Sequence, residues 1–298
     1  MKHKTKKIIQ DNIVGYLFLI PSLAGFLVFI IYPIFSGFIL SFTNSDGFNT
    51  PQWIGMANYI EMFHSEVIRK SLLNNIIYTF VYVPGSVILS LIVAVFVQNL
   101  RKGSIFFKTV LFFPNITSFI AIAIIWKQLF LPDKGLINVV LHALGVSNTP
   151  MWLTSSKTAL ISVAIVAVWK AFGFNMVLFL SGLQSIPGEL YEVGMLDGCR
   201  GWKRFRYITF PLLSPTVFFV LIMGVIDSFK VFDLVFQMTE GGPGNATTVM
   251  VYQIYEEGIR HMRMGYASAL SYVLFAITLI ITFIQFYYQK KWVYYGSE

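Results

Sequence analysis

The chain has 298 residues, of which 56% are hydrophobic and only 12% charged, and its mean hydropathy of +0.69 excludes an ordinary soluble domain. Its formal charge of +8 comes from basic residues scattered at helix ends; no stripe forms, which argues against nucleic-acid binding. Cys199 is the only cysteine, so an intrachain disulfide framework and a cysteine metal cluster are both excluded.

A helix that crosses a bilayer needs roughly 20 apolar residues. The chain opens on a basic leader, residues 1–12, and then runs without charge from Asn12 to Ser45. That run exceeds a secretory signal core and lacks a clear small-residue cleavage site, so it reads as a retained anchor over 13–42. Further charge-free runs give spans near 72–98, 109–126, 207–226 and 264–289, and another lies at 158–183 with Lys170 as its only interruption. The fold class is all-α, a polytopic membrane protein with six transmembrane helices. A closed barrel would show short alternating segments instead. Residues 13–290 then form a single transmembrane domain, followed by a tail at 291–298.

An even number of spans puts both termini on one side. That side carries thirteen Lys and Arg against eight on the other, which makes it cytoplasmic. External connections fall near 43–70, 127–157 and 227–263. The last contains Thr239-Glu-Gly-Gly-Pro-Gly-Asn245, where Gly242 and Gly244 can take positive φ and the chain re-enters towards the membrane before a helix over 248–258. No Gly-Lys-Ser/Thr follows, so this is not a phosphate loop.

The cytoplasmic loop at 184–211 encodes a short helix. Ser185 can cap it, Pro187 suits its first turn, Glu189 and Glu192 complement its positive end, and Gly198 can end it in a left-handed conformation. Leu190, Val193 and Leu196 have helical spacing and give it a packing side, and Arg200 to Arg206 begin a basic amphipathic element. From residue chemistry alone, an interfacial loop joining two spans is an equal reading.

This segment resembles the EAA loop of ABC-importer permeases, whose pattern is Glu-Ala-Ala, three residues, Gly, nine residues, Ile, one residue, Leu-Pro. The corresponding positions are Glu192, Val193, Gly194, Gly198, Ile208, Phe210 and Pro211, with Val193, Gly194 and Phe210 departing from the pattern. Phe112-Phe-Pro-Asn-Ile-Thr-Ser118, Gly182-Leu-Gln-Ser-Ile-Pro187, Glu240 to Thr247 and Met264 to Leu270 are similar to the maltose-type first permease of the carbohydrate-uptake branch. The resemblance implies a coupling helix that docks into an ATP-binding subunit, with Glu192, Val193, Gly194, Asp197, Gly198, Arg200, Ile208 and Pro211 as coupling residues. It further implies a second homologous permease as heterodimer partner, a dimer of ATP-binding subunits and an extracellular or periplasmic solute-binding protein docking on 227–263. The location implied is the bacterial inner (plasma) membrane.

No Walker A sequence is present, so this chain binds no cofactor and the partner ATPase uses ATP and Mg. Candidate contacts for a carbohydrate are Trp169, Lys170 and Asn175 in the fourth span and Asp227 and Lys230 at the outer end of the fifth. Lys170 and Trp169 also have structural readings as a paired or snorkelling cation and as a packing aromatic. A glycerol-phosphate-type solute is the alternative cargo. An ion-driven transporter would be expected to carry acidic residues inside its spans, and none occurs there; an intramembrane enzyme would need a catalytic motif that is absent.

Overall fold

The computed structural model describes residues 16–100 and 102–294. The leader at 1–12, the start of the first span at 13–15, Arg101 and tail residues 295–298 lie outside the described residues. In chain order the main helices are α1 (Tyr16–Leu40), α2 (Ala57–His64), α3 (Glu66–Gln98), α4 (Ser104–Ile116), α5 (Phe119–Leu129), α6 (Leu136–Ala143), α7 (Ala159–Gln184), α8 (Gly188–Leu196), α9 (Trp202–Phe229), α10 (Asp233–Met238), α11 (Met250–Tyr255) and α12 (Met264–Trp292). Five of these are long and apolar enough to cross a membrane, and α4 with α5 makes a sixth, broken span. Short π-helical stretches interrupt α1 at Leu27–Ile31 and α9 at Phe205–Thr209.

Two spans differ from expectation. The third is not one helix over 109–126: it starts earlier, at Ser104, and breaks at Thr117 and Ser118 with a 97° bend. Pro114 contributes, because a proline lacks the N–H that would bond back one turn and so weakens the end of α4. At about 1.5 Å per residue the 13 residues of α4 reach about 20 Å, short of a bilayer core of about 30 Å. The fifth span begins at Trp202, so Ile208 and Pro211 stand on its first turns and not in a loop. The short helices α2, α6 and α10 have no counterpart among the expected elements.

The described residues group into two compact units, one holding the chain up to His64 with Ile254–Val273, the other holding Ser65–Gln253 and the chain from Leu274 onward. In the first unit, Asn58 on α2 donates to the carbonyls of Ser41 and Thr43 at 2.8 and 2.9 Å, tying off backbone acceptors just past α1. Gly265 at the start of α12 leaves no room for a Cβ against the Thr43 carbonyl, and its N–H donates to Ser45. Arg263 pairs with Glu61 at 2.6 Å, and that hydrogen bond holds its guanidinium above the usual range.

In the second unit α3 and α7 pack along each other. Small residues, among them Ser86, Ser90, Ala94, Ala164 and Ala167, are buried there and let the backbones approach, as membrane helix pairs require where lipid supplies no hydrophobic drive. The Ser90 hydroxyl returns to its own helix, donating to Ser86 O at 2.5 Å, so it is not stranded between the two helices.

Candidate functional site

A cavity of about 330 Å³ opens between α3, the break of α4 and α5, α7, the C-terminal end of α9 and the start of α10. Its wall on α3 is Tyr78 and Tyr82, one helical turn apart, their rings stacked at 5.6 Å and 14°. Phe119, Phe174 and Phe232 add aromatic surface, and Asn115, Lys170, Asn175, Asp227, Lys230 and Asp233 supply the polar groups.

Of the candidate solute contacts, the fold brings Lys170, Asn175, Asp227 and Lys230 to this one space. Trp169 is elsewhere: its indole stands edge-on to Trp126 at 5.4 Å, which is the packing role that membrane aromatics commonly play. Tyr78, Tyr82, Asn115, Phe119 and Asp233 were not anticipated. Asn115 belongs to the Phe112–Ser118 motif, and the four-residue spacing of Tyr78 and Tyr82 was a usable signal, though diluted among 15 tyrosines.

Lys170 is buried at 6% exposure and its ammonium is fully engaged. It donates to the carbonyls of Thr117 at 2.8 Å, Asn115 at 3.0 Å and Pro114 at 3.2 Å, with its charge over the Phe119 ring at 4.3 Å. These are carbonyls that a helix leaves unpaired in its last turn and just beyond, where a cation also meets the negative end of the helix dipole. By contrast, among the described residues Asp227 and Asp233 make no ion pair and their carboxylates accept no hydrogen bond.

At the opposite end of α7, α8 follows as a separate helix. Pro187 occupies its N-cap position, and Ser185 does not cap it: the Ser185 hydroxyl donates back to Gly182 O at 2.8 Å. Gly198 takes φ +76°, and the chain closes by Cys199 N–H donating to Gly194 O at 2.7 Å. The expected packing side is reversed, since Leu190, Val193 and Leu196 are exposed at 42%, 57% and 89%. The inward side is Gly194, against which the end of the Ile208 side chain lies, together with Tyr191, whose hydroxyl meets that of Thr209 at 3.3 Å. A helix held by a glycine, with Val193 and Leu196 turned outward beside Glu192 and Asp197, offers a mixed apolar and acidic surface; Arg200 is also exposed, while Ile208 and Pro211 are half-buried in α9.

Beyond the C-terminal end of α9 the turn after α10 is held by several hydrogen bonds. Gly241 and Gly244 take φ +78° and +54°, so it is Gly241 and not Gly242 that shares the left-handed role with Gly244. Lys70 donates to Gly244 O at 2.6 Å, Asn74 to Asn245 O and Thr248 O at 3.1 and 2.8 Å, and Asn75 accepts from Met250 N–H at 2.8 Å while donating to Ser228 O. Three polar residues on two turns of α3 thus tie that helix to the end of α9 and to residues 244–250.

Residues 52–294 match the family described as binding-protein-dependent transport system inner membrane component. The probable ABC transporter permease protein YesP of Bacillus subtilis (strain 168) is 35% identical over 299 residues, covering 99% of this chain and 96% of the relative. The lactose transport system permease protein LacF of Rhizobium radiobacter is 33% identical, covering 93% and 94%. The fold also matches a chain of the crystal structure of a bacterial alginate ABC transporter in complex with alginate pentasaccharide-bound periplasmic protein, with TM-score 0.85 at 20% identity over 98% of this chain and 99% of that one.

Proposed function

This chain belongs to the family of binding-protein-dependent transport system inner membrane components, and from that premise we propose that its cavity is one half of the route by which a carbohydrate enters the cell. It is a permease of an ABC importer and not an enzyme. A solute-binding protein delivers the solute to the outer face, a second permease completes the passage, and a pair of ATP-binding subunits drives the cycle from the cytoplasmic side. Glu192 and Gly198 are the centre of the surface that meets those subunits, and the termini lie on the same, cytoplasmic, side.

The observation that carries the cargo is the lining. Stacked Tyr78 and Tyr82 with Phe119 and Phe174 offer flat apolar faces, while Asn115, Asn175, Asp227 and Asp233 offer acceptors and donors for hydroxyl groups. This is the combination that holds a saccharide in place of its water. A phosphate ester is served less well. The lining holds no arginine fork, the Lys170 donors are already occupied, and Lys230 shares the lining with the carboxylates of Asp227 and Asp233.

The test begins with mild-detergent purification of a tagged copy from its native membrane, followed by mass spectrometry. An ATP-binding subunit and a second permease should copurify. The intact importer in proteoliposomes, supplied with its binding protein, should then hydrolyse ATP faster with a saccharide panel than with glycerol 3-phosphate. A chain recovered alone, or stimulation by the phosphate ester only, would overturn the proposal.

A further inference from the structure

Lys170 is the one cation that lies deep within a predicted span, and an intramembrane lysine reads first as a ligand or an ion-coupling group. Its surroundings say otherwise. An ammonium has three N–H donors, and all three meet backbone carbonyls, those of Pro114, Asn115 and Thr117. None is left to reach a solute.

The same stretch of backbone is gripped a second time by α7. Gly173, one turn beyond Lys170, has the Leu111 carbonyl where a Cβ would stand, so α4 lies directly on the backbone of α7 just before the break. The end of α4 leaves the carbonyls of Pro114, Asn115 and Thr117 without helical N–H partners, and each such group left alone inside the protein would be costly. A lysine at that point converts a defect into a fixed joint. The joint matters because the residues around it face the cavity: Asn115 just before it and Phe119 just after it both line the space, and Phe119 lies under the ammonium.

We infer that Lys170 is a positioning residue for solute passage: its ammonium pins the joint between α4 and α5 and thereby sets Asn115 and Phe119 against the cavity, without itself touching the solute. This rests on the reading of the cavity as the solute route. It assigns the lysine a role at the joint and leaves solute contact to the residues that the joint presents.

The experiment uses the intact importer in proteoliposomes with its binding protein and a transported saccharide. Lys170→Met keeps the length of the side chain and removes every donor, whereas Lys170→Arg keeps the charge and can still donate to the carbonyls. Each is combined with Asn115→Cys, and labelling by a membrane-impermeant thiol reagent is measured at residue 115 by peptide mass spectrometry. With Met, labelling at 115 should shift several-fold and maximal uptake should fall by at least about tenfold, the scale of a single charge-assisted hydrogen bond where three are lost. Arg should restore both.

Unchanged labelling and uptake in the Met variant would overturn the inference. So would an Arg variant with normal labelling at 115 but a raised half-saturation concentration, since that would make the ammonium a solute ligand. If the Met variant does not reach the membrane, the Arg variant alone decides between these outcomes. The underlying reading is tested separately: reaction at Asn115→Cys in the otherwise unaltered importer should block uptake. Free uptake after full labelling would remove the cavity from the route, while the labelling comparison would still report on the joint.

Discussion

Gly173 and Leu111 meet backbone to backbone, the carbonyl of Leu111 filling the place of a side chain on Gly173. No rotamer change relieves an added methyl there, because the obstacle is main chain. Gly173→Ala should therefore force α4 and α7 apart and destabilise the assembled importer by about 1–3 kcal/mol, the range for overpacking. A melting profile of the purified complex would show it, with Gly188→Ala, a position with open space around it, as the control that leaves the profile unchanged.

Much of this architecture was legible in the residues because bilayer physics is strict. Long charge-free runs mark spans, and the Glu192 to Pro211 spacing marks the EAA-like segment. What was not legible was where a span stops being straight. Pro84 lies inside unbroken α3 and Pro114 lies two residues before the end of α4, so proline alone did not distinguish them; the partners Lys170 and Gly173 did, and those come from another helix. The outward side of α8 was misassigned for a related reason. Leu190, Val193 and Leu196 look like a core stripe, yet Gly194 is the face that packs, with the end of the Ile208 side chain lying against it.

That geometry predicts a separation of roles on α8. Glu192 is exposed, so Glu192→Ala should leave insertion intact while uptake and copurification of the ATP-binding subunit are lost. Gly198→Asp should do the same, with a further strain of roughly 1–2 kcal/mol from its φ of +76°. Gly194→Val should instead loosen α8 from α9 by displacing Ile208, which would appear as protease sensitivity of the loop before any loss of the partner. Uptake that survives both Glu192→Ala and Gly198→Asp would remove α8 from the coupling surface.

Asn75 is fully buried and serves both Met250 N–H and Ser228 O, joining the start of α11 to the end of α9. Asn75→Leu keeps the volume but strands both backbone groups, at about 1–3 kcal/mol for each. The complex should melt lower, and hydrogen exchange should rise across 244–250. Asn74→Leu, which strands the carbonyls of Asn245 and Thr248, should loosen the same stretch. If exchange there stayed slow in both variants, the connection would have to be held by its own turn and not by α3.

Tyr78 and Tyr82 offer the most direct view of the cargo. Their rings stack on each other, and neither hydroxyl has a hydrogen-bond partner among the described residues, although both side chains line the cavity. A phenol kept at such a place without a partner inside the chain is suited to a partner that arrives. Tyr82→Phe removes only the hydroxyl and leaves the stack, so folding and assembly should be unaffected. A hydroxyl that bonds the solute contributes about 0.5–1.5 kcal/mol, which is roughly a twofold to twelvefold rise in the half-saturation concentration for uptake. Tyr82→Ala should raise it further and also lower the melting temperature, because the stacking with Tyr78 is lost. Uptake kinetics of both variants, measured beside their melting profiles, separate the two roles. A Phe variant with unchanged half-saturation would make the tyrosine pair a wall of the cavity and leave solute recognition to Asn115, Asn175 and the two aspartates.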